Sequence, residues 1–185
     1  MRADARKNYD HILAVSRDLL AAEGSQTSMR EIARTAGVGL GTLQRHFPTR
    51  EDLLEALLRT SFDALAERAS KLGQSEPSDA ALVAWLREIV DVAHRYSGAI
   101  KSMVAAIEDE SSALHASCTA MKAAGTRLLA TAQADGKART DVDGADLFAL
   151  VGALAWVADQ PALASRSDRL MALMSDTLFV GSPES

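Results

Sequence analysis

The sequence predicts an all-α protein, and three observations carry that expectation. Apolar residues return at three- and four-residue steps along every long segment. Alanine and leucine dominate a composition with 4 Pro, 4 % aromatics and few β-branched runs, which favours helix over sheet. Gly, Pro, Ser, Thr and Asp cluster between the periodic segments, where helix caps and stops belong.

The first helix is expected over 9–23, with Ile12, Val15, Leu19 and Ala22 on one face and Gly24 as its stop. GSQTS then breaks the chain before MREIARTA. Thr27 or Ser28 caps this second helix, and Ser28 with Glu31 has the spacing of a capping box. Met29, Ile32, Ala33 and Ala36 share its apolar face. A helix of roughly two turns is too short to stand alone, so it must pack on neighbours. Gly37 ends it, and a third short helix, LGTLQRH, begins near Leu40 and stops at Phe47-Pro48.

Thr49 caps a fourth helix running to about Gly73, with Leu54, Leu58, Leu65, Ala69 and Leu72 on one face. Its early Leu53 and Leu57 point elsewhere, which suits a helix joining two modules. After the turn QSEPSD, Ser78 is expected to cap a helix striped by Leu82, Trp85, Leu86, Ile89 and Ala93. A shorter segment carries Ile100, Met103, Val104 and Ile107. The helix over about 112–134 is regular, with Leu114, Cys118, Met121, Gly125, Leu128 and Ala132 on one stripe. Beyond the loop DGKARTDVDG, 145–158 is apolar nearly all round, and 167–180 carries Leu170, Met171, Leu173, Met174, Leu178 and Phe179. A helix apolar on every side must be buried on more than one, and a monomer of this size seldom covers both. These last two helices are therefore expected to form a homodimer interface.

At 185 residues, 48 % hydrophobic and 24 % charged, the chain has the balance of one globular domain or two small ones. Its single Cys excludes a disulfide framework, and no Cys/His pairs stand at zinc-finger spacing, so no metal or cofactor is expected. MRADARKNYD has no apolar core for a signal peptide. The longest uncharged apolar run, Leu147 to Ala158, falls short of the roughly 20 residues a membrane span needs. A reduced, cytoplasmic, non-membrane setting is the expectation.

Net charge is −5, but it divides unevenly. Residues 1–60 carry nine Lys/Arg against eight Asp/Glu, whereas 61–185 carry eleven against seventeen. The acidity thus belongs to the second part. A near-neutral N-terminal part with six basic residues from Arg17 onward is able to neutralise phosphates on one face.

The stretch 28–47 has helix-turn-helix spacing. Ala33 is small where two helices cross, and Gly37, four residues on, supplies the positive φ of a tight turn. Val38 and Leu43 plug the small core beneath. The third helix would expose Leu40, Thr42, Gln44, Arg45 and His46 on the sides away from Leu43 and Phe47. Such side chains suit a major groove, where Arg reads guanine and Gln reads adenine.

SMREIARTAGVGLGTLQRHFPTREDLLEAL resembles the DNA-binding module of the tetracycline-repressor (TetR) family of transcription regulators. The preceding ILAVSRDLLAAEG is similar to that family's first helix, so the likeness covers 9–60. It implies a DNA-binding domain over 5–65, joined by a long helix to an effector-binding and dimerisation domain over 66–185. Carried over, Thr27 and Ser28 would meet a phosphate at the start of the second helix. Thr42, His46 and Arg50 would hold the backbone, while Leu40, Gln44 and Arg45 would face base edges. Gly39 stands where a capping Ser or Thr is common, and Gln44 where Tyr is usual, so two phosphate contacts are missing.

Beyond residue 65 the likeness is one of architecture, with AQADGKARTDVD before an apolar helix as a further point of similarity. The family's second domain usually surrounds a pocket for a small, often apolar effector. Candidate liners are Trp85, Ile89, His94, Met103, Ile107, His115, Cys118, Met121 and Trp156, all of which also suit ordinary core packing. The implied protein is a homodimeric, ligand-responsive repressor of a palindromic operator. An activator, or a ligand-binding protein that no longer reads DNA, are the alternatives. The chain holds no G-x-S-x-G, phosphate-binding loop or H-E-x-x-H, so no enzyme is expected.

Overall fold

The computed structural model of the chain describes residues 2–23 and 27–179, with side chains over 5–20 and 27–179. Among the described residues there are ten α-helices and one 3-10 turn, and an isolated antiparallel bridge pairs Ala138 with Phe179.

Helix α1 (Arg2–Glu23) starts seven residues before the expected position. Nothing in ADARKNY breaks a helix, and Arg6 pairs with Asp10 one turn on, at 3.8 Å. Its buried face is Ile12, Leu13, Ser16 and Leu20. The expected stop at Gly24, and the side chain of Ala22, lie outside the described residues. Helix α2 (Met29–Thr35) is capped by Ser28, whose hydroxyl accepts from the Glu31 N–H at 3.2 Å. The capping box is only half made, because the Glu31 carboxylate turns to Arg34 at 3.2 Å instead.

Gly37 has φ +65°. Its N–H donates to the Arg34 carbonyl, and that of Val38 donates to the Ala33 carbonyl, at 3.1 and 3.0 Å. This pair of bonds is a Schellman stop. It swings the chain into α3 (Leu40–His46), whose N-cap Gly39 makes no side-chain bond, as expected.

Helix α4 (Arg50–Ser75) opens on a complete Thr49/Asp52 capping box. Leu53, Leu54, Leu57 and Leu58 are all buried, so its first turns are covered on two sides. Farther along, Phe62, Leu65, Ala69 and Leu72 form one stripe against the body. Helix α5 (Ser78–Arg95) has Pro77 at its N-cap, which corrects the expectation that Ser78 caps it. Ser78 lies inside the first turn and donates to the Asp135 carboxylate at 2.5 Å, tying the start of α5 to a residue 57 positions along the chain. Lys137 and Asp79 reinforce that tie at 2.8 Å.

Two short helices, α6 (Ser97–Ser102) and α7 (Val104–Glu108), follow. Met103 and Ala99 are buried there, but Val104 is exposed, against the expected stripe. Helix α8 (Ala113–Ala134) buries its whole predicted stripe. It ends on a second Schellman turn at Gly136, φ +71°. A complete Asp143/Asp146 capping box starts α9 (Gly144–Asp159), and a 3-10 turn (Ala164–Arg166) leads to α10 (Ser167–Leu178). The body is thus α4, α5, α8 and α9 packed together, with α10 against α9. Among the described residues no helix is long and apolar enough to cross a membrane.

Candidate nucleic-acid interface

The interface is built from α1, α2 and α3. Leu43 is fully buried and Phe47 nearly so, which anchors α3 by one face. Ile32, Ala33 and Ala36 of α2 and Ile12 of α1 supply the matching surface. One hydrogen bond and two ring contacts lock the arrangement. His11 reaches the Ala36 carbonyl at 3.1 Å through Nε2, and since a carbonyl only accepts, that nitrogen carries the proton. Tyr9 stacks on Phe47 at 4.9 Å and meets the His46 ring edge-on at 6.1 Å.

With Leu43 inward, α3 turns Gly41, Gln44 and Arg45 to solvent, while Leu40, Thr42 and His46 are half-buried beside them. Arg45 donates from Nη2 to the Thr42 hydroxyl at 2.9 Å, so the guanidinium is held along the helix. Ser28 is exposed at the start of α2. Thr27, expected to meet a phosphate there, is buried. Gly39 is exposed at the start of α3, and Arg50 is half-buried at the start of α4. Eight of the nine proposed positions thus lie partly or fully open on α2, α3 and the start of α4.

Gly41 and Tyr9 are absent from the sequence-derived site. A Cβ at Gly41 would meet nothing within 4 Å, so packing does not require glycine there. Glycine inside a helix costs about 1 kcal/mol, and that unexplained cost was the available signal. Beside Arg50, the Thr49 hydroxyl and N–H hold the Asp52 carboxyl below its ordinary range.

Among the described residues, the expected pocket liners fall in different places. Trp85, Ile89, Met103, Cys118 and Met121 are buried in the core. Trp85 donates from Nε1 to the Leu65 carbonyl at 2.9 Å and meets Phe148 edge-on at 6.0 Å. Burial pushes the Cys118 thiol up, against the opposing charge of Lys122. His115 bonds the Ile107 carbonyl through Nδ1 at 2.8 Å, and both residues are half-buried. No group of three metal-ligating side chains occurs among the described residues.

His94 and Trp156 sit apart from that core. His94 lines a cleft of about 430 Å³ with Arg87, Ser167 and Met171, and its Nδ1 meets Asp159 at 2.9 Å. Trp156 is 56 % exposed beside a shallow depression next to Asp159. Partial burial pushes the Asp159 carboxyl up, but the Ser97 hydroxyl, His94 and the charge of Lys101 outweigh it and hold the group low. A further cleft, of about 400 Å³, lies between α1, α4 and α5.

Similarity to known proteins follows the same division of the chain. Residues 12–57 match the family model of bacterial regulatory proteins of the tetR family. Residues 76–179 match that of the SbtR-like transcriptional regulator C-terminal domain. A TetR transcriptional regulator from Streptomyces coelicolor is similar at 33 % identity and a TM-score of 0.75, covering 94 % of this chain and 99 % of its own. A TetR regulatory protein from Mycobacterium vanbaalenii is similar at 35 % identity and 0.73, covering 97 % and 99 %. An HTH-type transcriptional regulator of Staphylococcus aureus (strain USA300) is 38 % identical over 64 residues, which is 34 % of this chain and 35 % of that protein. The match thus spans about a third of the curated relative's length. With family models on both parts of the chain and two solved relatives alike over nearly all of it, the protein belongs to the TetR family of transcriptional regulators.

Proposed function

We propose that the protein is a DNA-binding transcriptional regulator, and not an enzyme, that reads a palindromic operator as a homodimer. Residues 5–65 form the DNA-binding module and 66–185 the regulatory body. The observation that carries this reading is the outer face of α3. Gln44 and Arg45 stand exposed on a short helix whose other face is anchored by Leu43 and Phe47. Arg45 and Gln44 meet base edges, with Leu40 beside them. Thr42, His46, Ser28 and Arg50 set the backbone register, and Gly39 allows close approach.

Dimerisation is assigned to α9 and α10 (about 145–158 and 167–180). Leu150, Trp156 and Leu173 are large apolar side chains left at least 40 % exposed on these helices. The apolar band over 145–158 therefore has a buried face in Leu147, Val151, Leu154 and Ala155, and an open one for a second copy. A two-fold dimer would set half-sites about 34–36 Å apart or slightly more.

The protein acts as a repressor released by a small-molecule effector. The effector shifts α4, which belongs to both parts, and changes the separation of the two recognition helices. The test is selection of bound duplexes from a random pool, with wild type and Arg45→Ala in parallel. A palindrome recovered by wild type and degraded in the variant is the expected result. Recovery of nothing above background from wild type would favour a ligand-binding protein that no longer reads DNA.

A further inference from the structure

The cleft of about 400 Å³ brings the N-terminal module and the body to one place. Arg17 comes from α1, Thr60, Ser61, Ala64, Leu65 and Arg68 from α4, and Glu88, Asp91, Val92 and Arg95 from α5. Its apolar surface is Ala64, Leu65 and Val92. Two ion pairs already stand on its rim, Arg68 with Glu88 at 2.8 Å and Arg95 with Asp91. Arg17 is half-buried and has no ion-pair partner among the described residues. Among the described lining residues, three guanidinium groups stand against two carboxylates, an excess of one positive charge. The Thr60 and Ser61 hydroxyls donate to the Ala56 and Leu57 carbonyls at 2.8 and 2.9 Å, so their protons are spent on their own helix. Recognition of an incoming acceptor therefore falls to Arg17.

We propose that this cleft binds a small monoanionic amphiphile, with one carboxylate or sulfonate on Arg17 and an apolar body against Ala64, Leu65 and Val92. A guanidinium presents a planar fork that matches such an anion with two parallel hydrogen bonds. A neutral ligand would cover Arg17 without pairing it, and a dianion would exceed the one charge available. The volume lies within the roughly 300–1,000 Å³ of small-molecule sites. An occupant touching α1, α4 and α5 at once would bias how the N-terminal module sits on the body. That consequence for operator binding rests on the DNA-binding reading; the site itself does not.

The test uses 2-naphthoate as the probe, titrated calorimetrically into the full chain without DNA, with neutral 2-naphthamide as its control. Arg17→Gln removes the charge. Ala64→Trp fills the cleft from an exposed position of α4, and unfolding midpoints confirm that both variants fold. Wild type is expected to bind naphthoate about tenfold or more tightly than naphthamide, with a similar loss in Arg17→Gln and no binding in Ala64→Trp. No naphthoate binding by wild type up to millimolar concentration would overturn the proposal, as would equal binding by both variants. Binding that needs Arg17 but leaves DNA affinity unchanged supports the site and overturns only its link to the operator.

Discussion

The indole Nε1 of Trp85 donates a 2.9 Å hydrogen bond to the main-chain carbonyl of Leu65, so α5 grips the middle of α4 from inside the core. The same ring lies over Gly125, where a Cβ would stand 2.3 Å from it. One side chain thereby ties α4, which runs on into the DNA-binding module, to α5 and α8.

Trp85→Phe should lower stability by about 1–2 kcal/mol, through the lost hydrogen bond and part of the packed ring. Gly125→Ala should cost about 1–3 kcal/mol, since the ring must move. Because both changes act on one contact, their effects in the double variant should sum to clearly less than additive. Urea unfolding of the three variants checks this, and strict additivity would contradict the shared contact.

Gly37→Ala should destabilise by about 1–2 kcal/mol, although a Cβ there meets nothing within 4 Å. The cost comes from φ +65° alone, which an L side chain adopts poorly. Amide exchange should quicken in α2 and α3 and leave α8 unchanged. A stability equal to wild type would show that the turn takes another conformation.

Arg45→Ala should weaken operator binding by about 1–3 kcal/mol and relax preference at one base pair of each half-site. Arg50→Ala should weaken binding to all duplexes alike and reduce the salt slope by about one. Titrations at several salt concentrations, on cognate and scrambled duplexes, separate the two. Equal losses of specificity would refute the division of roles.

Trp156→Glu with Leu173→Glu should convert the proposed dimer to a folded monomer, because both positions are exposed in the single chain, where the proposed second copy would cover them. Sedimentation velocity at micromolar concentration reads the change. A wild type that sediments as a monomer would remove α9 and α10 as the interface.

Acid should loosen α9 from the end of α5. Asp159 is held below the ordinary value of 3.8, despite the burial that pushes it up, by Ser97, His94 and Lys101. A carboxyl that is low in the fold and ordinary in the unfolded chain adds stability that is complete above 3.8. That stability is lost as pH falls through the lowered value. Asp79, held down by its hydrogen bond from Lys137, adds in the same direction at the junction of α5 with the α8 end. Asp159→Asn should therefore flatten the fall in stability from about pH 5 to about pH 2, measured by urea midpoints.

Helix order, the turn at Gly37 and the outward face of α3 were legible in the sequence, because each is set by contacts within a few residues. Apolar spacing places Leu43 inward, and that alone commits Gln44 and Arg45 to the other side. Burial depth was not legible to the same degree, since it depends on what another helix presents. Periodicity could not separate Leu147 and Val151, which pack inward, from Leu150 and Trp156, which stay open. Ser78 reads as a cap by local rules, yet its hydroxyl turns to Asp135, 57 residues away. The same limit hides the cleft at Arg17, whose walls come from three separate stretches of chain. Sequence spacing specifies which face of a helix is apolar; only the packing of helices decides what that face meets, and which charges are left without a partner.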